Sequence, residues 1–329
     1  LILLVDFWVR VRGGRVIALT VNHGLREETA FETRIVKEWM QKRRIEHKIL
    51  DWNGEKPKTN LQSQARNARY KLIDDWCRDH RILHVLVGHT ANDQAETYLM
   101  RLRRQSNLDG LAGMSAIREL VNCRLLRPLL SIKREDLRKF LSRAGQKWLD
   151  DPSNSDRRYE RTEVRNLILS GLFSLDQLWH SASNYGRLRI ALEHSADQFI
   201  ASSSRLNSAG YIAINRSKLR TIKSDTAIRV LGRAIAAAGG SWHFPPQAAL
   251  RSILSVCGSS VLTSRTLGGC RIIASSVEVI ICRESRNLPE ATTLVSGLSF
   301  LWDRRIFVSV GVIPEGLWQV TPAANQVWS

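Results

Sequence analysis

The chain has 329 residues, of which 43% are hydrophobic, and it carries a formal net charge of +18. This length is more than one ordinary hydrophobic core serves, so we expect two or three domains, and the hydrophobic content excludes wholesale disorder. The excess of positive charge favours a polyanionic partner, with nucleic acid as the first interpretation and a merely basic surface as the alternative.

The apolar segments argue against a membrane protein. The longest runs cover residues 16–21 and 82–87, whereas a helix that spans a bilayer needs roughly 20 apolar residues. Residues 1–6 lack the basic region and the small-residue cleavage site of a signal peptide, and no lipidation motif occurs. We therefore expect no membrane partner.

The cysteines indicate a reducing compartment. There are five of them, an odd number, and none forms a CxxC pair. This pattern argues against a disulfide scaffold, a structural zinc and a Cys-ligated cluster, and it favours reduced thiols in a cytoplasmic protein. The five are Cys77, Cys123, Cys257, Cys270 and Cys282.

Predicted strands and helices alternate in the first part of the chain. Alternation of this length is typical of βαβ units, so it predicts an α/β fold with a doubly wound parallel sheet. The predicted elements are a helix over 1–12, a strand over 15–22, a helix over 27–42, a strand over 45–52, a helix over 60–80, a strand over 81–88 and a helix over 92–104.

The pattern changes after residue 124. Residues 125–130 contain Pro128 and predict an edge strand or a loop, and 133–144 predict a helix that ends at Gly145. Residues 160–238 are predicted to be mostly helical. A small α+β domain is predicted beyond them, with strands within 268–281, 299–302 and 306–310.

Two polar segments, 22–26 and 88–97, directly follow predicted strands. Ligands of open parallel sheets bind beyond the carboxyl ends of the strands, so both segments are expected on the ligand side. Asp93, Glu96 and Thr97 share one helix face, where two carboxylates suit Mg²⁺ or an ammonium group. The alternative is a helix start that favours acidic residues.

Two groups of arginines also fall on helix faces. Arg66 and Arg69 lie beside Tyr70, a set that grips phosphate or stacks on a base, or else forms an exposed face. Beyond the polar turn 150–156, three arginines form one stripe that is suited to a nucleic-acid backbone or to a solvated surface. They are Arg158, Arg161 and Arg165.

Together these segments resemble one family, the tRNA(Ile)-lysidine synthetases. The family's HGLR-like, AR..RY, GHxxxDQxET, RGSGLxGLxGM-like and W..DPSN…R…R segments occur here in the same order and with similar spacing. They correspond to residues 23–26, 65–70, 88–97, 104–114 and 148–165, and weaker matches follow at 268–270, 283–284 and 302–305.

Two departures from the family pattern affect the expected site. The family's RGSG is RQSN at 104–107, so two glycines are lost and this loop is expected to approach a ligand less freely. The family's SGGxDS phosphate loop and the strand before it do not occur in the sequence. Because residues 1–12 resemble the helix that follows that loop, we expect the loop to lie upstream of Leu1.

The resemblance implies a PP-loop, adenine-nucleotide alpha-hydrolase-like fold. It implies a nucleotide-binding domain over 1–125, a mostly helical connecting and tRNA-contacting domain over 126–238, and a small C-terminal domain over 239–329. It also implies an enzyme that uses ATP and Mg²⁺ to join free L-lysine to the wobble cytidine of isoleucine tRNA with a CAU anticodon. The cytidine is adenylated first, and pyrophosphate and AMP are released.

The resemblance carries over residue by residue as hypotheses. Asp93, Glu96, Arg69 and Arg104 are assigned to catalysis, with Asp93 also a candidate Mg²⁺ ligand. The ATP-binding residues would be His23, Arg26, His89 and Thr97, and the tRNA-binding residues would be Arg66, Tyr70, Arg158, Arg161 and Arg165.

Two other functions stay open at this point. One is another tRNA-modifying ATP pyrophosphatase of the thiolase type, although thiolases related to 2-thiocytidine formation use paired cysteines, which this chain lacks. The other is a non-catalytic tRNA-binding remnant, because the phosphate loop is missing from the sequence. The oligomeric state is also open, with a homodimer as one expectation.

Overall fold

The structure, a computed structural model, describes residues 1–24, 28–54, 59, 61–149, 160–259 and 263–322. It divides into two compact units, Leu1–Arg187 and Leu188–Ser329.

The strands of the first unit form two hydrogen-bonded groups. In the first group β1 (Ile17–Asn22) pairs with β2 (Glu46–Asp51), and the two strands run parallel. The second group contains β3 (His84–Leu86), β4 (Ile117–Glu119) and β5 (Arg124–Leu126) in the order β3-β5-β4. Because β3 and β5 are also parallel, the prediction of parallel strands alternating with helices is confirmed.

The helices of this unit lie close to where the sequence predicts them. They are α1 (Ile2–Arg10), α2 (Glu28–Lys42), α3 (Leu61–Asp79), α4 (Ala91–Arg103), the short α5 (Leu108–Leu111), α6 (Arg134–Arg143) and α7 (Glu160–Leu169). As predicted, α6 ends just before Gly145, whose φ of +62° is the left-handed conformation that glycine adopts without steric cost.

One apolar cluster packs helix α3 against both groups of strands. Ile73 and Cys77 of α3 belong to this cluster, and Leu19 and Val21 of β1 and Val85 of β3 pack against it. The carboxylate of Asp74 fixes the turn before β5, because it accepts hydrogen bonds from the backbone N–H groups of Asn122 (3.0 Å) and Cys123 (3.2 Å). Helix α3 therefore positions side chains beside the ends of both strand groups.

The prediction for residues 125–130 is wrong in one respect. β5 is the middle strand of its group, since it pairs with β3 on one side and with β4 on the other. Pro128 lies beyond the end of β5, so its missing N–H group does not interrupt the ladder.

The second unit is built on an antiparallel sheet. Helix α8 (Leu175–Ser203) runs into this unit and is followed by β6 (Ser204–Leu206) and β7 (Ile212–Asn215). The sheet has the order β6-β7-β10-β9-β8. The remaining elements of this sheet and its helices are α9 (Arg216–Thr221), α10 (Ser224–Gly239), α11 (Gln247–Gly258), β8 (Thr263–Leu267), β9 (Cys270–Ala274) and β10 (Glu278–Arg283).

Four short strands follow this sheet. They are β11 (Thr292–Thr293), β12 (Ser299–Trp302), β13 (Ile306–Ser309) and β14 (Gln319–Val320), of which β12 pairs with β13 and β11 with β14. The strands predicted within 268–281, 299–302 and 306–310 are therefore confirmed.

The prediction that residues 160–238 are mostly helical is confirmed by α7, α8, α9 and α10, and the short strands β6 and β7 interrupt the helices. The core of the second unit joins Ile214 of β7 and Leu231 of α10 to Val279 of β10. The boundary predicted between residues 238 and 239 thus lies within one hydrophobic core, and the two compact units do not follow the predicted division at 125 and 238.

No helix in the described part of the chain is both long enough and apolar enough to cross a membrane. All five cysteines are free thiols, and four of them are buried, as expected of thiols that serve as apolar core residues.

Candidate active site

Polar residues meet where β1, β3 and β5 end. His23 follows β1, His89 follows β3 and Arg127 follows β5. Helix α3 links these ends, because Arg69 reaches His23 while Arg66 and Tyr70 lie near Arg127 and His89. The predicted location of the ligand site, at the carboxyl ends of the parallel strands, agrees with this arrangement.

His23 and Arg69 form one end of the site. The Arg69 guanidinium lies 3.1–3.2 Å from Nε2 of His23 through its Nη2 and Nε atoms. The His23 ring also makes an edge-to-face contact with Trp52, with ring centroids 5.9 Å apart. Two residues predicted to act on ATP and on the reacting groups are thus in direct contact, although they lie 46 positions apart in sequence.

Asp93 and Glu96, the carboxylate pair, form the centre of a network of arginines. Arg161 of α7 donates to Oδ1 of Asp93 (2.7 Å) and to Oε2 of Glu96 (2.7 Å). Arg165, one turn later, donates to Oε1 of Glu96 at 2.9 Å. Arg134 of α6 lies 3.4 Å from Asp93 and 3.6 Å from Glu96. With only 2% of the Glu96 side chain exposed, this carboxylate is a buried anchor for helix α7.

Asp93 also stabilises the start of helix α4. Its Oδ2 accepts hydrogen bonds from the backbone N–H (2.8 Å) and the hydroxyl (2.7 Å) of Thr90. Burial by itself raises the pKa of Asp93, but the hydrogen bonds from Thr90 and the nearby arginine charges outweigh burial and lower it. Asp93 is therefore an ionised carboxylate that closes a capping box with one oxygen and binds Arg161 with the other.

Asp93 and Glu96 are surrounded by arginines rather than by further metal ligands. Both carboxylate oxygens of Asp93 and both of Glu96 already accept hydrogen bonds from protein donors. Across the described residues, no group of three or more His, Cys, Asp or Glu side chains is arranged to hold a metal ion. The structure thus gives no support to Asp93 as a Mg²⁺ ligand, and no reaction step is assigned to the metal.

Thr97 and Arg104 have local partners. The hydroxyl of Thr97 donates to the backbone carbonyl of Asp93 at 2.7 Å, one helical turn earlier. Arg104 is exposed and forms an ion pair with Glu160 at the start of α7. Thr97 thus bonds within its own helix, whereas Arg104 links the end of α4 to α7, and their roles in ATP binding and catalysis stay predictions.

The stripe of arginines predicted to track tRNA lies partly inside this network. The Arg161 and Arg165 guanidiniums already have carboxylate partners on α4, 65–69 residues away in sequence. Arg158 and the polar turn 150–156 lie outside the described residues, as does the candidate ATP-binding residue Arg26. The assignment of the stripe to tRNA therefore stays a prediction.

His89 is held in its neutral form. Burial is the main cause that lowers its pKa, to about 4, and the charges of Arg127, Arg66 and Arg161 lower it further against the opposing effect of Asp93. Its Nδ1 is buried without a hydrogen-bond partner. A neutral imidazole at the end of β3 both donates and accepts, which suits a nucleotide better than a purely cationic contact does.

Several residues of the site were not predicted from the sequence. Gln94 clamps the loop after α5, because its amide donates to the Met114 carbonyl (2.9 Å) and accepts from the Met114 N–H (2.8 Å). The backbone N–H of Arg134 donates to the Asn92 side chain at 2.8 Å, which joins the starts of α4 and α6. Arg127 directly follows β5 in the structure, but the sequence places it inside the predicted segment 125–130, so its position at a strand end could not be predicted.

The comparisons with known proteins agree with this geometry. Residues 1–172 match the PP-loop domain family. Over 94% of its length the chain is 35% identical to the tRNA(Ile)-lysidine synthase of Ruegeria pomeroyi, of which it covers 74%. The chain belongs to the tRNA(Ile)-lysidine synthase family. The family member from Orientia tsutsugamushi is 31% identical over 94% of this chain and 72% of its own length.

The resemblance inferred from the ordered motifs is thus confirmed, and with it the PP-loop α/β fold. Among solved structures, the U34-tRNA thiolase NcsA from Methanococcus maripaludis with its 4Fe–4S cluster has a TM-score of 0.48 and 18% sequence identity. That similarity covers 56% of this chain and 66% of that one.

Proposed function

We propose that the protein is a tRNA(Ile)-lysidine synthase that uses ATP to join free L-lysine to the wobble cytidine of isoleucine tRNA. The observation that carries this proposal is membership of the tRNA(Ile)-lysidine synthase family over 94% of the chain. It is supported by the polar groups that surround the carboxyl ends of β1, β3 and β5. A cytosine carbonyl is a poor electrophile. Adenylation of its oxygen releases pyrophosphate, and the lysine amine then displaces AMP at the ring carbon.

The residues of the chain contribute orientation and charge to this reaction. Arg69, held by His23 at 3.1–3.2 Å, is placed to bind a phosphate or the activated cytidine. Neutral His89 is placed to contact the nucleotide. Fixed cationic donors of this kind stabilise charge that develops on phosphate oxygens, and placing the substrates together supplies much of the rate.

The carboxylate pair acts on the lysine ammonium in this proposal. Asp93 has 14% of its side chain exposed, and an incoming ammonium competes there with Arg161 and Arg134 for the same oxygen. Mg²⁺, isoleucine tRNA with a CAU anticodon and homodimer formation stay expectations of the proposal. The described residues provide no ligand set for the metal.

The two alternative functions, a thiolase and a non-catalytic remnant, differ in the residues and in the activity that each requires. A thiolase of the 2-thiocytidine type needs paired cysteines at the site, but Cys77 and Cys123 lie in the core under α3 and β5. A non-catalytic remnant would bind tRNA without turnover. It is therefore separated from the enzyme by activity rather than by binding.

The test is the incorporation of labelled lysine into an isoleucine tRNA transcript by the native protein. A transcript with uridine at the wobble position is the control and should receive no lysine. Lysine incorporation that is absent, or equal for the two transcripts, would contradict the proposed function.

The variant Asp93→Asn tests the carboxylate pair. Asn caps helices about as well as Asp, so the fold should be kept, whereas turnover should fall about 100-fold and the KM for lysine should rise. The matched control is Glu163→Gln, which removes an exposed carboxylate paired with Arg103 at 3.0 Å. Turnover close to wild type in Asp93→Asn would mean that Asp93 serves only as a helix cap.

A further inference from the structure

Apart from Arg69, the arginines that line the described part of the site fall into two groups. The guanidiniums of Arg134, Arg161 and Arg165 each form an ion pair with the carboxylate pair. The second group consists of Arg66, Arg118 and Arg127 around Tyr70, and we call these four residues the Tyr70 cluster. Within the described ranges, no carboxylate forms an ion pair with any of these three guanidiniums.

Arg127 is the buried member of the Tyr70 cluster. Only 5% of the residue is exposed, and its Nη1 donates to the carbonyl of Ser115 at 2.6 Å. Its Nε is buried without a hydrogen-bond partner. Arg127 also interacts with Tyr70, and burial lowers its pKa. A guanidinium removed from water and left without a counter-charge costs free energy unless an anion compensates for it.

The other two arginines meet at the ring of Tyr70. The guanidinium carbon of Arg66 lies 5.3 Å from the ring centroid, and that of Arg118 lies 5.8 Å from it. The negative face of an aromatic ring attracts cations at these distances, but this attraction is worth far less than a carboxylate partner. Tyr70 thus keeps two exposed guanidiniums close to Arg127 without neutralising them.

His89 closes the arrangement from the side of β3. Arg66 and Arg127 both lie close enough to act on its charge. Like Nε of Arg127, its Nδ1 is a buried polar atom without a hydrogen-bond partner. Two buried polar atoms without a partner and three guanidiniums without a carboxylate partner among the described residues come from four separate elements, which favours a built site over a solvated face.

We propose that the Tyr70 cluster, with His89, is a binding site for a phosphate group, in which Arg127 is the central ligand. The inference rests on the proposed function and deepens it, because both ATP and tRNA carry phosphate. Arg127 presents its free Nε to the anion from within the protein, while Arg66 and Arg118 close on it from the surface. The source of the phosphate is the nucleotide or the RNA backbone.

The experiment measures binding and needs no turnover, so it stands apart from the lysine-incorporation assay. Inorganic pyrophosphate, ATP and the isoleucine tRNA transcript are titrated against wild type, Arg66→Gln, Arg118→Gln and Arg127→Gln. The control is Arg124→Gln, which removes an equal charge from β5, where Arg124 is exposed and paired with Glu119 at 3.0 Å. Circular dichroism and thermal melting establish that each variant is folded.

The expected result is a loss of about 10-fold in affinity for each cluster variant, with Arg124→Gln close to wild type. Weaker pyrophosphate and ATP binding at unchanged tRNA affinity assigns the phosphate to the nucleotide. Weaker tRNA binding, with the slope of log affinity against log salt reduced by about 1 in Arg118→Gln, assigns it to the RNA backbone.

Two results would overturn the proposal. One is unchanged binding of all three probes in Arg66→Gln and Arg118→Gln. Because these two residues are exposed, their variants test the proposal even if Arg127→Gln does not fold. The other is an equal loss in Arg124→Gln, because it would show that only the overall charge matters.

Discussion

Gln105 adopts a backbone conformation that favours glycine, at the position where the family pattern has glycine. Its φ is +51°, a left-handed conformation that costs a residue with a side chain roughly 1 kcal/mol. Asn107, at the second lost glycine, caps helix α5 instead, since its side chain accepts from the Gly110 N–H at 3.1 Å. The two departures from the family pattern therefore have opposite effects on the stability of the fold.

We predict that Gln105→Gly stabilises the protein by about 0.5–1 kcal/mol, because it removes the strain at φ +51°. Asn107→Ala should destabilise it by about 1 kcal/mol through the lost cap. Thermal melting of the two variants beside wild type checks both directions. A melting temperature of Gln105→Gly at or below that of wild type would show that the Gln105 side chain holds the loop.

His89 makes stability depend on pH in a defined window. Its pKa is about 4 in the folded protein and about 6.5 in an unfolded chain. Between these values the unfolded state binds more protons, so stability falls as the pH is lowered from about 6.5 to about 4. We predict that His89→Asn reduces the loss of free energy of unfolding over this pH range by about 1–3 kcal/mol.

Melting curves of wild type and His89→Asn at pH 7 and pH 5 test this prediction. His80→Asn serves as the control, since His80 is exposed and stacks on Trp76 with ring centroids 4.0 Å apart. Equal shifts in melting temperature between the two pH values for wild type and His89→Asn would contradict it.

At the residue scale, the sequence predicts several of the side chains that reach the site but not their partners. Helical spacing and the carboxyl ends of strands are enough to select His23, His89, Asp93 and Arg69. Nothing local indicates that Arg161 binds Glu96, because the two lie 65 positions apart and meet only through the packing of α4 and α7. A stripe of arginines has the same spacing whether it faces solvent, RNA or carboxylates.

Helices α4 and α7 are joined by two kinds of ion pair. Glu96 is buried and bound by Arg161 and Arg165, whereas Glu163 is exposed and bound by Arg103. Removal of one partner of a buried network leaves uncompensated charge, while an exposed pair gains little over water. The same helix interface thus provides a test and its own control.

We predict that Glu96→Gln destabilises the first unit by about 3 kcal/mol and that Glu163→Gln costs less than about 1 kcal/mol. Thermal melting together with hydrogen exchange of the α7 backbone measures both effects. Comparable losses in the two variants would show that the buried carboxylate is not the anchor of α7.

At the element scale, periodicity predicts long elements better than short ones. Helices α2, α3 and α4 end within a few residues of their predicted bounds, because each presents an apolar face for several turns. β6 and β7 have three and four residues, too few to show alternation, and they are strands only because β7 pairs with β10 more than 60 positions later. The sequence predicts an edge strand or a loop at β5 because proline is rare in central strands, but Pro128 lies beyond the end of this strand.

The whole molecule is strongly basic, with a formal net charge of +18. Part of that charge is engaged inside the protein, as in Asp303, whose buried carboxylate is bonded to Arg283 (3.1 Å) and Arg305 (2.7 Å). Composition alone predicts a polyanionic partner but not which cations face it. That distinction depends on pairs such as these, which form only on folding.

We predict that the protein binds tRNA with an affinity that falls steeply with salt. Each phosphate that is neutralised releases counterions, so log affinity should fall linearly with log salt by roughly 0.7–0.9 per phosphate contacted. A tRNA of another identity should share this slope and differ only by a constant offset, because contacts with bases release no counterions. Filter-binding titrations at about 50, 100 and 200 mM salt measure the slope and the offset separately. Several phosphate contacts should lower the affinity by orders of magnitude over this range of salt. Binding that does not change with salt, or that is absent at the lowest salt, would show that the positive charge does not bind RNA.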